Sequence, residues 1–347
     1  MPNITILGAG IAGMSIASQL PRDCKVTILG KHLPGDEMDH TYTSQWAGAI
    51  WLGTANASPR EQKLQLAAFG DLWRIAEEFP ESSVRHTTIT DVFDMGEPSD
   101  HWFVDKLPEF RMVPKSELPK GAKFGMRYKT CIITPTTFLP WFRARLESQG
   151  VVFKRTIVQS LDDLKGMKHD VLINATGFGA RHLADVKETR IVPLKQQNIR
   201  IRKGGPNQDY NEVYIRRGLD GYYSTAFARG DGTIYIGGVK TEGLHNFEVN
   251  AEHRKSIMRN QHLNQPKYFP SPNVEDYDFI CDHVGVYPFI KQENGGVRCE
   301  KRVTSGQKVV HVYGMEAGGY TFSFGLAREA VKLVTEYLAE TPTPSRL

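Results

Sequence analysis

A strand, glycine turn, helix and strand over Met1–Gly30, a later apolar strand ending in small residues at Asn174–Ala180, and period-two alternation from Ile191 to Lys240 predict an α/β fold. That fold is a Rossmann-like dinucleotide-binding domain interrupted by an antiparallel, β-rich domain. In the first unit, Asn3-Ile4-Thr5-Ile6-Leu7 reads as a strand and Gly8-Ala9-Gly10-Ile11-Ala12-Gly13 as a tight turn. An apolar helix then runs to Leu20, Pro21 ends it, and Lys25–Leu29 supplies the second strand. The helix N-terminus offers free amides to a pyrophosphate, and GxGxxG set between two strands at this spacing reads as a dinucleotide site. Which dinucleotide binds is left open.

The next segments extend that site. Gly30 stands where such folds place an acid for the ribose hydroxyls, so ribose contacts fall to backbone or to Lys31 and His32, unless these two are a solvated loop. Asp36, Glu37 and Asp39 are the acids nearby, and the missing acid counts against a nicotinamide cofactor. In Ser44-Gln45-Trp46-Ala47-Gly48-Ala49 small residues alternate with aromatic bulk, either to let backbone approach a flat ring or as a tightly packed core turn. Pro59–Phe79 and Thr137–Gln149 have helical apolar spacing, and Asp91–Arg127 breaks into short strands that begin an inserted sheet. Val151–Val158 is expected to be a strand, and Asp170–Ile173 a buried one running into Asn174-Ala175-Thr176-Gly177. Arg200 and Arg202 read as a solvated strand face. A last strand, Val309–Tyr313, leads into Gly314–Thr321 and a closing helix. This second glycine turn either aims a helix N-terminus at an electron-rich ring edge or is a plain strand-to-helix turn.

With 347 residues the chain holds two modest domains, and a net charge of +4 from 43 basic and 39 acidic residues is too dispersed for nucleic acid. No apolar run approaches the ~18 residues of a membrane span, and no leader precedes the first strand, so a soluble, non-secreted protein without membrane partners is expected. Cys24, Cys131, Cys281 and Cys299 are scattered, with no metal-ligand spacing, and are expected to be buried free thiols. Thr341-Pro342-Thr343-Pro344 is expected to hold out Ser345-Arg346-Leu347, a conservative form of the terminal Ser-Lys-Leu peroxisomal address.

Together these stretches resemble the D-amino-acid oxidase family of flavoenzymes, which includes D-aspartate oxidase. The glycine turn, the Trp46 loop, Asn174-Ala175-Thr176-Gly177, the Arg229-Gly230-Asp231-Gly232 to Gly237-Gly238 hairpin and the His311–Tyr320 turn carry the resemblance in order. It implies non-covalent FAD, oxidation of a C–N bond by hydride transfer to flavin N5, and reoxidation by O2 to hydrogen peroxide, with hydrolysis of the imine. The implied flavin-binding set is Gly8, Ala9, Gly10, Ile11, Ala12 and Gly13; Lys31 and His32; Ser44, Gln45, Trp46, Ala47, Gly48 and Ala49; Val158; Ala175, Thr176 and Gly177; and Gly314, Gly318, Gly319, Tyr320 and Thr321. The FAD-binding domain is expected over residues 1–90, 150–187 and 299–347, and the substrate domain over 91–149 and 188–298. Expected partners are a small-molecule substrate, O2, the peroxisomal import receptor and a second copy in a homodimer.

The departures from the family concern the substrate. The family's carboxylate-gripping arginine, just before a proline, corresponds to Tyr287 in Val284-Gly285-Val286-Tyr287-Pro288. One family tyrosine falls at Thr225, with Tyr222 or Tyr223 able to serve if the strand shifts, and a second corresponds to Lys240. Loss of a charge-paired arginine costs ~2–5 kcal/mol of binding. Tyr287, Lys240, Thr225 and Tyr223 are therefore the expected catalytic residues for an amine, N-substituted or bulky substrate. Two alternatives stand beside this: a D-amino-acid or D-aspartate oxidase in which Lys240, Arg216 or Arg217 restores the charge, and a flavin-binding protein without oxidase turnover. Tyr287 either donates one hydrogen bond or lines an aromatic pocket.

Overall fold

The computed structural model describes residues 1–340, with Asp220 as backbone alone, so Ser345-Arg346-Leu347 lies outside the described residues. The chain begins β1 (Asn3–Leu7), α1 (Ile11–Ala17), β2 (Lys25–Gly30) and α2 (Pro59–Glu78). It continues β3 (Arg85–Phe93), β4 (Arg111–Met112), β5 (Phe124–Ile132), α3 (Pro135–Ser148), β6 (Val152–Arg155) and β7 (Val171–Asn174). Then follow β8 (Val192–Arg202), β9 (Val213–Arg217), β10 (Tyr223–Ala228), β11 (Thr233–Glu242) and α4 (Ala251–Asn264). The last elements are β12 (Phe279–Phe289), β13 (Arg298–Thr304), β14 (Gln307–Tyr313) and α5 (Gly319–Ala339).

Six strands form a mixed sheet in the order β13-β14-β7-β1-β2-β6, parallel from β14 to β6 with β13 antiparallel at one edge. Ile4, Ile6, Val171, Leu172 and Ile173 are all buried, as strands covered on both faces require. The chain leaves β1 through α1 to β2 on one side and later returns as β7 on the other. A crevice therefore opens beyond the carboxyl ends of β1 and β7, where open α/β sheets bind ligands.

The second sheet runs β12-β8-β11-β10-β9-β3-β5-β4, antiparallel except between β3 and β9. On β8, Ile199 and Ile201 pack beneath α4 with Ile234, Ile236 and Met258. The even-numbered residues of β8 face the other way. Arg200 on that face is not solvated: its side chain is only 14% exposed and lies 3.4 Å from Asp231, because this surface is covered by protein. Arg202, at the strand's end, is exposed.

Three other expectations change, and one helix was not expected. Strand β6 ends at Arg155, and residues 156–159 leave the ladder to line the crevice. Helix α1 stops at Ala17. The four cysteines are free, but only Cys131 is fully buried; the other three are half-buried. Helix α4 was not legible because it buries only Ile257, Met258 and Gln261; its start is set by Asn250, whose side chain accepts from Glu252 N–H and His253 N–H at 2.9 and 3.2 Å. Helix α3 packs through Phe138 and Phe142 on Tyr320 and Phe324 of α5. No described helix is long and apolar enough to cross a membrane.

Candidate active site

The crevice is a cavity of about 520 Å³ that begins at the β1 turn and continues between the sheets to β8 and β12. The three turn glycines have separate duties. Gly8 sits at φ +120°, and a Cβ there would stand 2.3 Å from the Ala175 carbonyl oxygen, so the turn presses on the end of β7. A Cβ on Gly13 would meet the Gly8 carbonyl oxygen at 2.0 Å, which fixes the packing of helix on strand. A Cβ on Gly10 would stand 2.8 Å from Ser44 Oγ, at the cavity wall.

The segment after β2 is latched onto this turn. Ile11 N–H donates to Ser44 Oγ at 3.1 Å, Tyr42 Oη to the Ala9 carbonyl at 2.6 Å, and Tyr320 Oη to the Ser44 carbonyl at 3.0 Å. At the β2 end, Thr41 Oγ1 lies 3.3 Å from Lys31 Nζ and 2.7 Å from His32 Nε2. The absent acid at Gly30 has a steric reason: a Cβ there would meet the His32 carbonyl at 2.6 Å. Asp36 is no substitute, since Arg155 grips it at 2.7 and 2.8 Å and, with the Leu33 N–H, holds its pKa down to about 2.

Buried Arg229 positions the Trp46 loop, donating from Nε to the Gly48 carbonyl at 2.6 Å and from Nη2 to the Ala47 carbonyl at 2.9 Å. Its pKa is lowered to about 10 by burial. Behind the third contact, Asn174 Oδ1 accepts from Thr176 Oγ1 at 2.8 Å and its amide lies 3.2 Å from His311 Nδ1. Of the expected flavin-binding residues, Gly8, Ala9, Gly10, Ile11, Ala12, Lys31, His32, Ser44, Trp46, Ala47, Gly48, Ala49, Val158, Ala175, Thr176, Gly177, Gly314, Gly319 and Tyr320 line the cavity. Gly13, Gln45, Gly318 and Thr321 lie behind it: Gln45 donates to the Asp36 carbonyl at 3.2 Å, Gly318 packs on Phe322, and Thr321 Oγ1 faces the Leu52 carbonyl at 3.4 Å. A long cavity walled by glycine, alanine and backbone, with Lys31 at its dinucleotide end, fits a flat ring joined to a pyrophosphate.

On the far side Tyr287 lines the cavity and donates its hydroxyl to Gln196 Oε1. Gln196 Nε2 in turn donates to Asn198 Oδ1 at 3.0 Å. Burial holds the Tyr287 pKa well above the usual 10, so the phenol stays neutral. Gln196 and Asn198 also line the cavity, and sequence reasoning missed both. Their signal was present, two amides at period two on the face of the strand opposite Ile199 and Ile201. His40, stacked between Trp46 at 4.2 Å and Phe247 at 4.4 Å, was missed as well.

The structure does not bring Thr225, Tyr223 and Lys240 onto the cavity wall. Thr225 is 2% exposed, with its hydroxyl unpartnered among the described residues. The Tyr223 ring lies 5.6 Å from the Arg217 guanidinium and 5.7 Å from Lys240 Nζ. Lys240 keeps a path to solvent, while the atoms packed around it lower its pKa and the Glu316 carboxylate raises it. Arg216 and Arg217 are on β9 rather than a loop, and both are engaged. Arg216 meets Asp94 at 2.9 Å and Asn264 at 3.1 Å, and Arg217 meets fully buried Asp91 at 3.1 Å.

Comparison with known proteins agrees with this geometry. The family model described as FAD dependent oxidoreductase matches residues 3–333. The chain is 28% identical to a D-aspartate oxidase of Talaromyces thermophilus, covering 96% of this chain and 95% of the relative. It is 27% identical to a D-amino-acid oxidase of Fusarium vanettenii, covering 95% and 96%. The fold matches that of glycine oxidase from Geobacillus kaustophilus with a TM-score of 0.75 at 16% identity, over 97% of this chain and 95% of that one. The protein is thus a member of the FAD dependent oxidoreductase family, an enzyme of α/β fold whose cofactor is FAD.

Proposed function

We propose that this oxidoreductase oxidises a C–N bond of a small-molecule amine or unusual amino-acid derivative, and that it does not grip a substrate carboxylate with a cation. The observation that carries the reading is the neutral Tyr287–Gln196–Asn198 chain, with neither arginine nor lysine lining the cavity on that side among the described residues. FAD bound there would supply the hydride acceptor for the carbon beside the nitrogen, with O2 as the final two-electron oxidant reduced to hydrogen peroxide. The nitrogen would give up its proton, and water would hydrolyse the resulting imine to a carbonyl compound and ammonia, or an amine where the nitrogen is substituted. The glycine turn, Lys31 and His32 would hold the dinucleotide, the Trp46–Ala49 loop and the Gly314–Tyr320 turn would border the ring, and Tyr287 would orient the donor. Thr225, Tyr223 and Lys240 shape the wall behind Tyr287. This reading departs from the expected bounds by moving α3, which packs on α5, to the flavin-binding part and residues 85–90 of β3, in the eight-stranded sheet, to the substrate part.

The test is anaerobic titration of the yellow holoprotein with amines and D-amino acids while its visible absorption is followed. Bleaching by amines and not by D-alanine supports the reading. Bleaching by D-alanine at micromolar levels favours a true D-amino-acid oxidase, and a flavin that no donor reduces refutes C–N oxidation. We further propose that Ser345-Arg346-Leu347 delivers the enzyme to peroxisomes, where its peroxide would be consumed. A fluorescent fusion should lose its punctate distribution when these three residues are removed.

A further inference from the structure

The charges around the cavity point to a second feature of the substrate, an inference that rests on the C–N oxidase reading. Among the described residues lining the cavity, the full charges are Lys31 at the dinucleotide end and Glu316 at the turn into α5. Glu316 is on the Tyr287 side: Phe289 of β12 bridges to Met315, and the Glu316 charge is felt at the Tyr287 hydroxyl. The residue holds a left-handed backbone at φ +51°, which a side chain disfavours. Yet its carboxylate pairs with no cation among the described residues, and Lys240 acts on it only at longer range. The cavity it shares is otherwise lined on the β8–β12 side by neutral amides and aromatic rings, Gln196, Asn198, Tyr235, Tyr287 and Trp46. One carboxylate among aromatic faces is a site for a cation.

We infer that Glu316 recognises a second positive charge on the substrate, separate from the nitrogen that is oxidised. The donor class is then a diamine, or an amino-acid derivative with an ammonium or guanidinium side chain. Lys240 opposes that charge from β11, so its removal should strengthen binding.

The holoenzyme is tested with matched donors, 1,4-diaminobutane against butylamine and D-lysine against D-norleucine, by anaerobic flavin reduction. The dicationic or basic member of each pair should have a KM lower by about 10- to 100-fold. E316Q should raise KM for that member at least about tenfold more than for its neutral partner, while E316D keeps part of the preference. E316G, whose backbone is at ease at this φ, is a second carboxylate-free variant should E316Q fold poorly. Binding is read separately from turnover: n-butylguanidinium should perturb the flavin spectrum of the parent and need at least about tenfold more in E316Q, and less in K240Q. Equal KM values within each pair, or a preference that survives in both E316Q and E316G with flavin bound, overturns the inference. If no donor reduces the flavin, C–N oxidation fails, and n-butylguanidinium binding still decides whether Glu316 is a cation site.

Discussion

Replacing Gly10 by alanine separates holding the dinucleotide from holding the fold. The added methyl would lie 2.8 Å from Ser44 Oγ, the far end of a side chain that can rotate, so the turn survives. Rotation removes the acceptor of Ile11 N–H, and the methyl then stands on the cavity wall. Overpacking of this kind costs about 1–3 kcal/mol, roughly 5- to 150-fold in the dissociation constant for FAD. Gly13→Ala is the contrast: its methyl would be 2.0 Å from the Gly8 carbonyl oxygen, backbone that cannot swing aside, so it should unfold the β1–α1 packing whether or not FAD is present. The assay is titration of apoprotein with FAD by fluorescence, with thermal melting of the apo forms alongside. Adding Ser44→Ala to G10A should recover part of the affinity, because the clashing oxygen is gone. Binding of FAD by G10A within twofold of the parent, with an unchanged melt, would refute this account of the turn.

Three further predictions concern buried groups. Asp91→Ala should lower stability by about 1–3 kcal/mol by denaturant unfolding, since it removes the 3.1 Å partner of Arg217, whose side chain is 34% exposed, while FAD affinity is little changed. His283 and His311 are neutral when folded, their pKa values lowered by burial to about 3 and about 4. The unfolded chain binds protons below pH 6.5 that these residues refuse, so each removes about 1.4 kcal/mol of stability per pH unit as pH falls from 6.5 toward its folded value. H283N should flatten that slope in acid unfolding curves, and an unaltered slope would contradict it. Tyr287→Phe leaves the Gln196 oxygen without its donor and should destabilise by about 1–3 kcal/mol. In the parent, no ionisation of Tyr287 should appear in the pH profile of flavin reduction below pH 10.

Arg229 shows how one residue links the two levels of the molecule. It sits just beyond β10 of the eight-stranded sheet, and its two hydrogen bonds hold carbonyls of the Trp46 loop some 180 residues earlier. The resemblance placed it in a hairpin, and nothing in the local pattern distinguished it from an exposed turn arginine. Burial at 2% decides that.

The features that the amino-acid sequence determined alone are those whose causes are local. Three glycines within six residues specify the dinucleotide turn, because one adopts positive φ and two allow contacts closer than any Cβ permits. Apolar residues at helical spacing specify α2 and α5. The tertiary structure decided which polar side chains face the cavity and which are already engaged. Arg216, Arg217 and Arg200 look alike in sequence, and carboxylates at Asp94, Asp91 and Asp231, on other elements, take them away from the substrate. Gln196 and Tyr287 became one neutral unit only when β12 paired with β8, and Glu316 became a cavity wall only when β12 met the turn into α5. These are contacts between distant segments whose partners no local periodicity records, so a dinucleotide site was legible from the first turn and the polar lining of the rest of the cavity only from the folded chain.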